Sequence, residues 1–346
     1  MESNIAQPKS PLASLLLISP FFLWGTAMVA MKGVIADTTP LFMAGMRLAP
    51  AGILVLAAAM WMGRSQSISW RGWLWILAFA LVDGALFQGF LAEGLVRTNA
   101  GLGSVMIDSQ PLAVAIMARF LFGESVGYIG WLGLGIGILG ISLLGLPDEW
   151  VYSLLQGNFG GQGAAIGAEV FQVLWRQGEW LMLMAALSMA VGTIMIRFVC
   201  RHVDPIVATG WHMVLGGGPL FALSAYAETD QWQYLTGSGW IAIAYSTLFG
   251  SAIAYGVFFY LASKGNLTSL SALTFLTPVF AIVFGNLFLG EILSALQWFG
   301  VCLTLISIYL INQREMISSW LKPPSVSKDP QKKAANDSET DSSVRI

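Results

Sequence analysis

Charge is scarce in this chain. Asp, Glu, Lys and Arg make up 10% of its 346 residues, against about 25% in an ordinary soluble domain. Hydrophobic residues make up 56%, and mean hydropathy is +0.71. No soluble core could hide that much apolar sequence, so a soluble globular class is excluded. Cysteine is scarce too. Cys200 and Cys302 are the only two, and neither sits in a metal or redox spacing, so no disulfide framework is indicated. The two histidines, His202 and His212, make no ligand spacing with Asp or Glu. No metal and no cofactor is therefore expected. Gly157, Gly160, Gly161 and Gly163 are followed by no Lys-Ser or Lys-Thr, so they make no phosphate loop, and direct ATP drive is disfavoured. A membrane enzyme is a weak reading, because the chain offers no nucleophile–base pair and no metal cluster. The net charge of -2 says nothing about partners, and no nucleic-acid partner is expected.

What the chain does have is apolar runs of about 20 residues, the length that crosses a bilayer as a helix. Ten spans are expected, near 12–32, 39–62, 72–92, 98–119, 127–146, 180–200, 204–226, 238–262, 266–288 and 294–312. The runs are continuous rather than alternating, which excludes barrel strands. The first is too long for a signal-peptide core and reads as an uncleaved span. With the N-terminus inside, inner segments hold Lys9, Arg64, Arg71, Arg119, Arg197, Arg201, Lys264 and Arg314. Outer segments hold Lys32, Arg97 and Arg176. Eight against three favours a cytoplasmic N-terminus, and ten spans return the C-terminus to the same side. The expected location is the cell membrane.

The chain also repeats itself. Residues 99–133 align without a gap on 266–300, at an offset of 167, with seven identities in 35 positions. These are Asn99/Asn266, Ser104/Ser271, Pro111/Pro278, Gly123/Gly290, Glu124/Glu291, Trp131/Trp298 and Gly133/Gly300. Gly25-Thr26 falls on Gly192-Thr193, and Gly89 on Gly256, at the same offset. Chance apolar similarity would match Leu and Val instead. Five spans per half is odd, so the second half enters the membrane from the opposite side. The fold class is thus an all-α polytopic membrane protein of ten transmembrane helices in two inverted five-helix repeats, a pattern shared by many secondary transporters. The expected segments are a cytoplasmic N-terminus (1–11), a first repeat (12–146), an outer linker (147–179), a second repeat (180–312) and a disordered cytoplasmic tail (313–346). The polar, proline-containing end of the tail cannot bury enough apolar surface to order itself.

Several motifs recur in order across this frame. The chain opens with Phe22-Leu23-Trp24-Gly25-Thr26, then has Pro40-Leu41-Phe42 leading to Arg47-Leu48. Each half closes on a proline followed by Gly-Glu: Ser109-Gln110-Pro111 before Gly123-Glu124, and Leu276-Thr277-Pro278-Val279-Phe280 before Gly290-Glu291. Over residues 12–312 this resembles the EamA-type transporters of the drug/metabolite transporter superfamily. The resemblance implies two five-helix domains around a central cavity. It also implies movement of small organic solutes, often outward and sometimes coupled to protons. It implies no single substrate. The connection between the halves is longer than the resemblance leads one to expect.

Polar groups inside spans mark candidate sites, because each ionised group near the bilayer centre costs about 2.5–3.5 kcal/mol on insertion scales unless paired or wetted. Arg47, Asp83, Asp108 and His212 lie roughly 12–17 Å into their spans, close to the midplane. Arg47 and His212 each follow a proline by seven residues (Pro40 and Pro205). Two readings stand together for the charges. Arg47 pairs with Asp83 or Asp108 to lock helices, or these groups form a substrate or proton site in a wet cavity. Asp108 is favoured over Asp83 as the proton-sensitive group. Gln88 and Gln110 add hydrogen-bonding capacity. Pro111 and Pro278 remove amide donors at equivalent depths, a break tolerable only where protein or water faces it. Gly216-Gly217-Gly218-Pro219 reads as a further break.

Other features read as structural. Glu124 and Glu291 suit caps of the helices that follow them. Gly130, Gly133, Gly135, Gly137 and Gly140 suit close helix packing or an oligomer face. Trp61, Trp70, Trp150 and Trp240 suit the interface, whereas Trp24 and Trp211 lie deeper. The expected function is a secondary transporter, read as an exporter, of small organic metabolites such as amino acids or related solutes, by alternating access between the two inverted repeats, with the lipid bilayer and a small solute as partners and proton coupling as an option. The rival is a non-transporting receptor or structural membrane protein.

Overall fold

In a bilayer an apolar run satisfies its own backbone as a helix, and every spanning segment described is helical. The computed structural model describes residues 11–97, 107–145, 179–289 and 294–321. The first half contains α1 (Pro11–Lys32), α2 (Pro40–Trp61), α3 (Trp70–Arg97), α4 (Gln110–Phe122) and α5 (Gly127–Gly145). The second contains α6 (Glu179–Val199), α7 (Pro205–Ala227), α8 (Gly237–Lys264), α9 (267–289) and α10 (Ala295–Asn312). Among the described residues seven helices are long and apolar enough to cross a membrane, and α4, α5 and α9 contribute shorter apolar stretches. Most of the expected 147–179 linker lies outside the described residues. So does the tail from 322 onward. A short helix, α11 (Arg314–Leu321), occupies the start of the segment expected to be a disordered tail.

Local sequence explains the helix starts. Pro40 and Pro205 occupy the first turn, where a missing N–H costs nothing. Asp204 caps α7 by accepting from the amides of Ile206 and Val207. Ser294 and Gln297 form a reciprocal capping box on α10. Glu228, just past α7, accepts from the amides of Leu41 and Phe42 and from the Thr39 hydroxyl, and so caps α2 from the other half.

The repeat is visible in irregularities as well as in helices. α3 loosens into a π-helical stretch at Ala80–Leu86, and α8 does so at Ser246–Ile253. Subtracting the repeat offset lays the second stretch on the first. The prolines sit at equivalent interruptions. Pro278 follows a 3₁₀ turn at Leu273–Phe275, and Pro111 follows a turn at 108–109, in the first turn of α4. Pro278 cannot donate to Thr274, so the ladder tightens just before it.

The halves interleave. α1 packs on α8 and α9, and α6 packs on α3 and α4. The hydroxyl of Tyr245 on α8 donates to Thr26 on α1 at 2.9 Å. The repeat-equivalent pairs α2/α7 and α5/α10 pack directly on each other. Glycine sets the approach. A Cβ at Gly84 would lie 2.8 Å from the Cα of Gly216, and one at Gly217 would lie 2.7 Å from the Cβ of Ala49. The expected break at 216–219 is absent: α7 runs unbroken through Pro219, and its glycines serve contact with α3 and α2 instead. The α5 glycines likewise seat α10, with Gly133 against Ile311 and Gly140 against Thr304. Trp24 is core, in ring contact with Phe21, Tyr255 and Phe258. Trp61 and Trp70 are exposed, as interfacial anchors are.

Candidate functional site

A cavity lies where the end of α1, the start of α2 and the end of α3 meet. Met28 and Met31 come from α1, Met43, Ala44 and Arg47 from α2, and Gln88 and Leu91 from α3. The cavity is narrow in this conformation. Its widest part has room for about one water in this conformation. The three helix ends belong to one membrane side, so the cavity occupies that half of the bundle.

Arg47 is the one charged group among the described residues that line it. The residue is 7% exposed, its Nε has no hydrogen-bond partner, and no ion pair reaches it among the described residues. The expected pairing of Arg47 with Asp83 or Asp108 therefore does not form. Asp83 faces His212 instead. The reason is rotational: the π-helical stretch of α3 aims Asp83 at α6 and α7, while α2 turns Arg47 into the cavity. A Cβ on Gly192 of α6 would lie 2.1 Å from Oδ1 of Asp83, so the carboxylate occupies space that only glycine leaves.

The Asp83–His212 pair is fully enclosed, with both side chains at 0% exposure and Nε2 at 3.2 Å from Oδ2. Phe79 stacks on the imidazole at 4.2 Å, and Phe259 meets it edge-on at 5.4 Å. Nδ1 of His212 stands 2.6 Å from the carbonyl oxygen of Thr209. A carbonyl only accepts, so Nδ1 carries a hydrogen. Nε2 would then face the carboxylate as one lone pair against another, unless a second hydrogen lies between them. A hydrogen there would leave the pair as carboxylic acid with imidazole or carboxylate with imidazolium. Both forms are net neutral. The 3.2 Å contact is not aligned as a hydrogen bond in this conformation.

Tyr255 lies between the cavity residue Gln88 and Phe259, the ring that meets His212. Its hydroxyl accepts from Nε2 of Gln88 at 2.8 Å, and its ring lies 5.8 Å from that of Phe259. Tyr255 carries no charge, so a reading confined to ionisable groups at mid-depth passes over it. The signal was present, because Tyr255 is the repeat partner of Gln88.

The other expected residues lie apart from this group. Gln110 donates to the hydroxyl of Thr193 at 3.3 Å and joins α4 to α6. Asp108 is buried at the turn before α4 and does not line the cavity. Pro111 and Pro278 do not line it either. Cys200 lies just beyond α6, where burial first and the Asp204 charge second push its thiol up to about 12. It is an uncharged thiol at neutral pH. No cluster of three metal-ligating side chains occurs among the described residues.

The opposite face is tied shut. Glu124 does not cap α5, the helix that follows it. It caps α9, accepting from the amides of Leu267 and Thr268 at 3.1 and 3.2 Å and from the Thr268 hydroxyl at 3.0 Å. Arg197, at the end of α6, pairs with Glu124 at 3.0 Å, donates to the carbonyl of Gly265 and lies over the Phe122 ring. Arg314 donates to the Ser125 carbonyl and the Ser269 hydroxyl in the same region. Glu291 lies outside the described residues.

Comparison with known proteins extends this picture. A model of the EamA-like transporter family matches residues 11–146 and 176–313, the two repeats. The chain is 62% identical over 313 residues to an uncharacterised transporter of Synechocystis sp., sll0355, covering 90% of this chain and 92% of that one. It is 52% identical over 300 residues to a chloroplastic WAT1-related protein of Arabidopsis thaliana, At3g02690, covering 86% of this chain and 68% of that one. It is 25% identical over 300 residues to YedA, an uncharacterised inner membrane transporter of Escherichia coli, with 86% and 89% covered. A crystal structure of 16% identity superposes with a TM-score of 0.70 over 89% of this chain and 98% of the other, which bears on the fold alone. With each repeat matched separately and relatives this similar along most of their length, the chain belongs to the EamA-like transporter family.

Proposed function

We propose that this chain is a secondary transporter rather than an enzyme, and that it carries a small organic solute by alternating access between its two repeats. The observation that carries this reading is Arg47: a buried guanidinium with no ion-pair or hydrogen-bond partner among the described residues, facing a cavity. A charge left unpaired at that depth is costly and suits a site that a solute completes. The cavity lies in one half of the bundle, and the Glu124–Arg197 contacts close the other face. That asymmetry suits one end state of a rocking cycle. Return to the alternate state requires the Glu124 contacts to part. The Asp83–His212 pair is the coupling group in this reading, because it is a buried acid–base pair and Phe259 packs on both His212 and Tyr255, the partner of the cavity residue Gln88.

The protein sits in the cell membrane with both termini cytoplasmic, on the Lys/Arg asymmetry. The cavity then faces outward. A reporter fused after Gln313 is expected to read cytoplasmic and one inserted near Gly160 external. Reversal at both sites overturns the orientation. The function is tested by comparing exported metabolites of a deletion strain and its complement, then measuring flux of the differing solute in proteoliposomes. Absence of any flux by the purified protein overturns the transporter reading.

A further inference from the structure

The cavity narrows the class of solute, an inference that rests on the transporter reading. Its wall is apolar except for Arg47 and Gln88. The Gln88 amide is engaged by Tyr255 at 2.8 Å. Asp83 is engaged by His212 and not by Arg47, and the pair is net neutral with one proton between them. No described residue therefore neutralises Arg47. A cation entering the cavity would meet an uncompensated positive charge. A neutral solute would leave the guanidinium without a counter-charge. An anion satisfies both requirements, and the planar guanidinium fits a carboxylate through two parallel N–H···O bonds. A dianionic phosphate ester would bring a second charge that no cation among the described lining residues balances. Methionines from α1 and α2 line the rest. Their flexible thioethers reshape around a slim apolar body, which the narrow cavity requires.

We propose that the solute is a small monocarboxylate with an apolar body, held by Arg47 at the carboxylate and by Met28, Met31 and Met43 along the body. Three compounds of one shape and different charge test it: 4-methylpentanoate, 4-methylpentanamide and 4-methylpentylamine. Each is added to the purified full-length protein, and the thermal unfolding midpoint is read. The carboxylate is expected to raise the midpoint, and the amide and amine to leave it in place. The rise is expected to disappear in Arg47→Met. It is also expected to disappear in Met28→Glu, which supplies an internal carboxylate on the cavity wall and keeps Arg47. Either variant with a native elution profile suffices. An equal rise with the amide or amine, no rise with any of the three, or a carboxylate rise that survives both variants overturns the proposal. Counterflow in proteoliposomes separates the two levels. Arg47-dependent flux of the amide or amine overturns the carboxylate class and leaves transport standing. Carboxylate binding without flux of any probe leaves the class standing and overturns transport.

Discussion

Gln88 and Tyr255 are repeat equivalents, 167 positions apart, and they touch: the amide of one donates to the hydroxyl of the other at 2.8 Å. A two-fold operation carries each residue of one half onto its equivalent in the other. Only a residue on the axis can contact its own image. This hydrogen bond therefore marks where the pseudo-two-fold axis crosses the third helices. The bond is also a joint between the halves. Tyr255→Phe and Gln88→Leu remove the same bond, so each is expected to lower stability by about 0.5–1.5 kcal/mol. The double variant should cost less than the sum of the two. A thermal-unfolding double-mutant cycle measures the coupling, and strict additivity would show that the contact contributes nothing.

Arg47→Lys is the sharpest test of the cavity. Lysine keeps the charge but replaces a planar five-donor fork with a point ammonium. Bidentate recognition is lost while the electrostatic character of the site is kept. Flux is expected to fall about tenfold or more, equal to about 1.4 kcal/mol of lost interaction, with insertion and elution profile unchanged. Wild-type flux in this variant would mean that the site needs a point charge at most.

Helix number, duplication and polar candidates are legible in the sequence because each depends on local pattern. Run length gives α1 to α10, and Pro, Gly and Glu at matched positions give the repeat. Pairing is not legible, because it depends on how each helix is rotated. Arg47, Asp83 and His212 all sit at mid-depth, yet only the latter two meet, and the π-helical turn that aims Asp83 has no residue signature. Glu124 shows the same limit. An acid after a helix suggests a cap, but only the tertiary fold brings the start of α9 to it rather than the start of α5. Gly216 and Gly217 look like a hinge in one dimension and act as contact points in three.

Glu124 is expected to hold the closed face through the first turn of α9. Glu124→Gln keeps the size and one acceptor but loses the charge that pairs with Arg197 and favours a helix N-terminus. Hydrogen–deuterium exchange at the amides of Leu267 and Thr268 is expected to speed up by about tenfold, the equivalent of about 1.4 kcal/mol. Amides in the centre of α7 should be unaffected. Unchanged exchange at Leu267 and Thr268 would show that the cap does not hold this end shut.

The proton between Asp83 and His212 is expected to be the one that couples transport to a gradient. Nδ1 donates to the Thr209 carbonyl, so a hydrogen between Nε2 and Oδ2 would remove the lone-pair conflict there. Asp83→Asn keeps the shape and offers an amide N–H to Nε2, which fixes the imidazole as a neutral acceptor. The pair then stays neutral but releases no proton. Gradient-driven accumulation should disappear, and solute exchange without a gradient should persist. His212→Leu acts differently, since it strands a buried carboxylate beside Phe79 and Phe259. Breaking one side of a buried pair costs about 3–5 kcal/mol, so this variant is expected to be poorly folded, and Asp83→Asn added to it should restore much of the loss. Two measurements decide the matter: accumulation against a gradient for the first variant, and the unfolding midpoint for the second and its rescue. If Asp83→Asn accumulates solute like wild type, the pair is a fixed packing element and protons couple elsewhere or not at all.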